Sequence, residues 1–362
     1  MKRLTTFILG AVLAMTLQGC ATSGWYHLPT LDFDQVDYVL PATTVQVRNI
    51  NVACIDQGSG DTTLLLIHGL GSNAKAWLRN IPVWAREHRV IAVDLPGYGK
   101  SDKGYYDYSL EFYAQVLTEL LDALDIERAV WVGHSLGAQI AMVAALEYPE
   151  RVQKLVLISP AGFERFDEGE GAWMKKVMTP ELVRDTTIRQ IDINLRSNFY
   201  RTPAEADFMI TDRIQIRGAP DFERYCYAVS RNVAAMIDHP VWEQLPDITQ
   251  PALVLFGEND QLIPNRFLHA GWTSRVAEEG TAALPNARLV LVPECGHFVQ
   301  FEKPERTNTA VLEFLTQRLQ RRSTPVDQGQ ASTSGRQLPC EGSTDSSRRT
   351  DQYRPLAFKL HR

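Results

Sequence analysis

The chain has 362 residues, 44% of them hydrophobic and 22% charged, with a formal net charge of −6 at pH 7. That apolar share supports a normal core and excludes a chain disordered throughout, and the length fits one large domain with an insertion, or two domains. Residues 321–362 carry +4, so the remainder carries −10 and has no basic stripe of the kind that nucleic-acid phosphates require.

Residues 1–20 open on Lys2 and Arg3, run apolar from Leu4 to Leu17 and end Leu17-Gln18-Gly19-Cys20. A basic start, a short apolar run and a small residue before the cut describe a secretory signal, too short for a comfortable membrane span. The last four residues resemble the bacterial lipobox. That resemblance implies a signal peptide over 1–19 and a Cys20 that becomes the lipidated first residue of the mature protein. Gln18 departs from the usual small or aliphatic residue, and an ordinary signal peptide cut nearby is the alternative. Ala21 and Thr22 after the cysteine imply, by the same resemblance, an envelope protein lipid-anchored in the outer membrane, with its face open.

Residues 20–43 read as a tether. After it, 45–47 and 51–55 read as a hairpin, and 63–67, 90–93, 129–132, 154–158, 252–256 and 288–292 as further strands. Several are continuously apolar, as strands buried on both faces of a parallel sheet are. Over 109–124, Leu110, Tyr113, Leu117, Leu120, Leu121 and Leu124 share one helical face. The stretch 136–147 is apolar nearly all round, so it reads as a buried helix that stops before Pro149. Strand and helix in regular order predict an open α/β sheet.

The rhythm breaks over 163–246, which has helical patterns without a clear strand and reads as an inserted cap. Its Trp173, Met174, Val177, Met178, Leu182, Phe222, Tyr225, Tyr227, Met236 and Ile237 either line an acyl-chain pocket or pack the cap onto the body. The core is then 44–162 with 247–320. Residues 321–362, rich in Ser, Thr, Gln, Gly and Arg, read as a disordered tail. Beyond Cys20, the cysteines Cys54, Cys226, Cys295 and Cys340 match neither a zinc pattern nor a dense disulfide scaffold, and read as free buried thiols.

The sharpest motif is Gly133-His134-Ser135-Leu136-Gly137, between a predicted strand and the buried helix. A serine on such a turn is strained and projects above the sheet edge, where the helix N-terminus offers N–H groups to a developing anion. A bare helix cap is the alternative role for Ser135. A hydroxyl needs a base, and His297 follows the last predicted strand in Glu294-Cys295-Gly296-His297. Asp260, after 252–256, is placed to orient it, with Glu258 as the rival acid. The backbone N–H of Leu70, in His68-Gly69-Leu70-Gly71-Ser72-Asn73, and that of Leu136 read as an oxyanion hole. His68 and His134 read as shaping these turns. His27, His88, His239, His269 and His361 read as incidental.

Four motifs in order, at His68-Gly69, at Asp94-Leu95-Pro96-Gly97-Tyr98-Gly99-Lys100-Ser101, at Ser135 and at the Asp260 and His297 loops, resemble the α/β-hydrolase superfamily over residues 45–320. The layout resembles its bacterial lipase and esterase members. The resemblance implies a mostly parallel sheet of about eight strands with an inserted helical cap, and Ser135, Asp260 and His297 as a triad. The first expectation is therefore a serine hydrolase that cleaves a small ester or lipid through an acyl-enzyme. The alternative is a C–C bond hydrolase of ring-cleavage diketones with the same triad; such relatives tend to carry Trp where this chain has Phe298. Amidase, peptidase and perhydrolase chemistry stay open, as does a non-catalytic envelope interaction protein. Dehalogenases and epoxide hydrolases of this fold carry Asp where this chain has Ser135. No metal-ligand spacing and no dinucleotide or phosphate loop is present, so no cofactor is expected, nor a nucleic-acid partner.

Overall fold

The computed structural model describes residues 24–316. The predicted signal peptide over 1–19, the predicted lipidation site Cys20, Cys340, His361 and the predicted tail over 321–362 lie outside the described residues. Eight strands are present: β1 (Thr43–Val47), β2 (Ile50–Gln57), β3 (Thr63–Ile67), β4 (Arg89–Val93), β5 (Ala129–His134), β6 (Val152–Ile158), β7 (Ala252–Gly257) and β8 (Ala287–Val292). They form one sheet in the order β1-β2-β4-β3-β5-β6-β7-β8. β1 and β2 pair antiparallel, as do β2 and β4, and all other pairs are parallel.

Every residue of β3, β5 and β7 is buried, which is why these strands read as unbroken apolar runs. β3 lies between β4 and β5, so the chain leaves it in opposite directions on its two sides. In open α/β sheets the crevice beyond the carboxyl ends of strands at such a switch point is where ligands bind. The chain after β3 and the chain after β5 both open into it.

Helix α1 (Leu110–Ala123) buries Leu110, Tyr113, Leu117, Leu120 and Leu121, and starts where the Ser109 hydroxyl accepts the Phe112 N–H. Helix α2 (Leu136–Glu147) follows β5 and is buried from Leu136 through Ala145. Between β6 and β7 lie α3 (Glu168–Val177), α4 (Pro180–Arg184), α5 (Ile188–Arg196), α6 (Asp207–Gln215) and α7 (Phe222–Asp238), with no strand. These are the helical cap. Two further helices, α8 (Thr273–Ala283) and α9 (Pro304–Thr316), flank β8.

The cap is welded to the core by polar contacts as well as apolar ones. Buried Asn232 on α7 accepts from the Tyr98 and Tyr113 hydroxyls and donates to the Tyr108 carbonyl. Of the cap residues singled out from sequence, Phe222 and Tyr225 are buried, whereas Trp173, Val177 and Leu182 are exposed. Their α3 and α4 present that face outward, so helical periodicity alone misassigned it.

A second difference concerns the predicted tether. Residues 24–42 do not hang free: Phe33, Val36 and Tyr38 are buried, and the Leu31 N–H donates to the Gln215 carbonyl of α6 at 3.1 Å. The apolar side chains of this segment lack a period but find places to bury, so it forms a strap across cap and core. Cys54, Cys226 and Cys295 are buried free thiols. Among the described residues no helix is long and apolar enough to cross a membrane.

Candidate active site

Ser135 stands between β5 and α2 with φ 53° and ψ −117°, a conformation L-residues rarely adopt. Its N–H donates to the Ile158 carbonyl at 2.9 Å, which holds the strained residue in place. The flanking glycines are required by packing. A Cβ on Gly133 would lie 2.3 Å from the Gly137 carbonyl oxygen, and one on Gly137 would lie 2.3 Å from that of Ile67. The Ser135 hydroxyl makes no capping hydrogen bond to α2, so the bare-cap role is excluded.

Asp260 and His297 are brought together. The His297 Nδ1–H donates to Asp260 Oδ2 at 2.7 Å, and both side chains are buried. The other carboxylate oxygen of Asp260 accepts the N–H groups of Leu262 at 2.7 Å and Ile263 at 3.1 Å. A carboxylate only accepts, so Nδ1 carries a proton and Nε2 is turned away from Asp260. Glu258, the rival acid, is exposed. The His297 loop meets the Ser135 turn through His134: the two imidazoles lie 4.8 Å apart, and His134 Nε2 is 3.1 Å from the His297 carbonyl oxygen. Burial and the neighbouring His297 hold the His134 pKa well below its ordinary value, so His134 places no cation beside His297.

The loop after β3 reaches the same place. A Cβ on Gly69 would lie 3.2 Å from Ser135 Cβ, so Leu70 follows directly beside the serine. The Leu70 N–H donates to no backbone acceptor among the described residues. Leu136 is the first residue of α2, where an N–H has no intrahelical acceptor. His68 shapes this loop: Nδ1 contacts the Gly69 carbonyl oxygen at 2.8 Å, Nε2 accepts the Leu95 N–H at 3.1 Å, and burial pushes its pKa down to about 4. The Asp94 motif is architectural. Buried Asp94 accepts from the Ala74 and Lys100 N–H groups and the Tyr38 hydroxyl, each at 2.7 Å.

Two residues escaped the sequence reading. Arg213 on α6 places its guanidinium 4.3 Å from the centroid of the Tyr225 ring, and the Tyr225 hydroxyl donates to the Gly71 carbonyl of the Leu70 loop at 3.3 Å. Its Nη1 is buried without a hydrogen-bond partner, no described carboxylate pairs with it, and burial pushes its pKa down to about 10. Its chain neighbour Asp212 is engaged instead by Lys75 at 2.6 Å. A partly buried guanidinium whose Nη1 has no hydrogen-bond partner is costly unless an anion reaches it. His269, read as incidental, is held between Glu164 at 2.5 Å and Glu170 at 3.1 Å.

Residues 62–304 match the family model described as alpha/beta hydrolase fold. The chain is 34% identical over 272 residues to a 2-hydroxy-6-oxononadienedioate/2-hydroxy-6-oxononatrienedioate hydrolase of Paraburkholderia phymatum, covering 72% of this chain and 90% of that one. It resembles the solved structure of a meta-cleavage product hydrolase from Pseudomonas fluorescens at 27% identity and TM-score 0.60, over 75% of this chain and 97% of that one. It also resembles a membrane phospholipase A, termed a novel bacterial virulence factor, at 27% identity and TM-score 0.61, over 87% of this chain and 98% of that one. The family model spans β3 to β8, the serine turn and the His297 loop together: the chain belongs to the α/β-hydrolase fold family, and it is a hydrolase.

Proposed function

We propose that this hydrolase cleaves a C–C bond in a carboxylate-bearing diketone of the ring-cleavage type, with Ser135 as nucleophile, His297 as base and Asp260 as its orienting acid. The observation that carries the substrate class is Arg213, a partly buried guanidinium whose Nη1 has no partner and which packs on Tyr225, the residue that bonds the Leu70 loop. An ester lipase whose substrate is neutral has no use for it. A dienedioate, the substrate class in the name of the Paraburkholderia relative, brings carboxylates that would complete the ion pair. This inverts the order of the two readings that the sequence supports.

In this mechanism Ser135 attacks the ketone carbonyl while His297 Nε2 takes the hydroxyl proton. The backbone N–H groups of Leu70 and Leu136 hold the oxyanion. The C–C bond then breaks, its electron pair passing into the neighbouring conjugated carbonyl system, and His297 returns the proton to the departing fragment. Water, deprotonated by the same imidazole, cleaves the acyl-enzyme to a carboxylic acid. Arg213 fixes the carboxylate end, so it selects the substrate without touching the reacting bond.

Ester hydrolysis is the second reading, favoured by the likeness to the phospholipase A over nearly its whole length. The two separate in one assay. Loss of the dienone absorbance of a 2-hydroxy-6-oxo-dienoate is compared with release of nitrophenol from an ester series, for wild type, Ser135→Ala and Arg213→Gln. The expected result is turnover of the dienoate that Ser135→Ala abolishes, with KM raised roughly tenfold to hundredfold by Arg213→Gln, the loss of one charge-assisted contact. Turnover of esters alone, unaffected by Arg213→Gln, would overturn the C–C reading.

A further inference from the structure

The loop that carries His297 is fastened to the cap as well as to the sheet. The His297 N–H donates to the Asn198 carbonyl oxygen at 2.7 Å, and the Phe298 N–H to the same oxygen at 3.2 Å. Asn198 lies in the cap segment after α5, and the next residue, Phe199, stacks on Phe298 with ring centroids 5.5 Å apart. The approach leaves no space for a side chain, because a Cβ on Gly296 would lie 2.6 Å from the Asn198 carbonyl oxygen.

Glu302 closes this junction. It ends the single-turn helix Val299–Glu302 that follows the histidine loop. Its Oε1 accepts the Arg201 N–H at 2.6 Å, and its Oε2 accepts the N–H groups of Gly296 at 2.7 Å and Tyr200 at 3.1 Å. One carboxylate therefore gathers two amides of the cap and one of the residue that precedes His297. The hydrogen bonds it accepts come from backbone N–H groups and not from Ser135 or the His297 ring, so its effect on chemistry passes through the imidazole.

We propose that Glu302 is a positioning residue that makes the seat of His297 depend on the seat of the cap segment 198–201. Displacing that segment removes the acceptor of the His297 N–H and two of the donors to Glu302 together, and the imidazole moves with its backbone. A glutamine at 302 has one acceptor oxygen and an NH2 group that faces amide donors, so it cannot satisfy all three N–H groups. Misplacing a catalytic group by about 1 Å costs on the order of a hundredfold in rate.

The inference rests on the reading of Ser135 and His297 as nucleophile and base, but not on the substrate. The test is the rate at which a fluorophosphonate probe labels Ser135 in the full chain, for wild type, Glu302→Gln and Gly296→Ala, alongside thermal melting and kcat and KM on the substrate turned over. Glu302→Gln is expected to label about tenfold to hundredfold more slowly while folded, with kcat lowered in step and KM near wild type. Gly296→Ala keeps Glu302 but displaces Asn198, and is expected to show the same loss if Glu302→Gln does not fold. Folded variants that label at the wild-type rate overturn the inference. A wild type that is not labelled at all overturns the catalytic reading and this inference with it, whereas labelling without dienoate turnover overturns the substrate reading alone.

Discussion

Asp260 accepts three hydrogen bonds, from His297, Leu262 and Ile263, and the last two decide what an amide in its place would do. In an Asp260→Asn enzyme the carbonyl oxygen is held by the two backbone N–H groups, so the NH2 group faces His297 Nδ1. The imidazole must then accept there and carry its proton on Nε2, where it cannot take one from Ser135. The expected outcome is a fall in kcat of about ten-thousandfold with little change in KM, as in other triads with the wrong tautomer. Hydrolysis rates within tenfold of wild type would mean that His297 is not the base. At this scale the strained turn of Ser135 and the pairing of Asp260 with His297 are legible in the sequence because each residue stands in a loop with a glycine signature. Arg213 is not, because what singles it out is the absence of a counter-charge around it, and only the fold places Asp212 on Lys75 instead.

The cap is tied to the loops of both His297 and Asp260, by 198–201 to the first and by Glu164 and Glu170 to the second. At the second tie His269, when protonated, donates to both carboxylates, and Glu164 also accepts the Asn265 N–H at 2.7 Å. Burial works against the charged form of His269, but the hydrogen bonds and charges of the two glutamates outweigh it and raise its pKa above 6.5. A raised folded value means that the stabilisation is fully present below the unfolded pKa and is lost as pH rises through the folded one. The neutral ring has one N–H and can donate to only one glutamate. The melting temperature of wild type is therefore expected to exceed that of His269→Gln clearly at about pH 6, and the gap to narrow by about pH 9. A gap that widens with pH would assign the tie to something other than the charged imidazole. Neither tie could be read from the chain, since partners such as His269 and Glu164 stand 105 positions apart. The strands could, because β3, β5 and β7 are buried on both faces and show it as composition.

Cap and core meet along one seam, and the strap formed by 24–42 crosses it. Its first half belongs to the cap: Trp25 and Leu28 pack on Ile191, Ile210 and Ile214 of α5 and α6. Its second half belongs to the core, where the Tyr38 hydroxyl donates to Asp94 at 2.7 Å and Lys100 Nζ donates to the Asp34 carbonyl at 2.8 Å. Phe33 sits at the crossing, buried, with its ring 5.7 Å from that of Tyr225 on the cap and the Lys103 ammonium of the core 3.9 Å over its face. Aromatic residues without a period read as a tether in sequence because their partners come from two other parts of the chain. Phe33→Ala removes the contact common to both halves, at a cost of about 3 kcal/mol for a buried aromatic ring. For a protein of this size each kcal/mol lowers Tm by roughly 2–4 °C, so a fall of about 6–12 °C is expected in a thermal melt followed by tryptophan fluorescence. Because Arg213 rests on the Tyr225 ring, the same substitution should raise KM for a carboxylate-bearing substrate more than it lowers kcat. A variant that melts with wild type and keeps its KM would mean that the strap lies on the surface without joining cap to core.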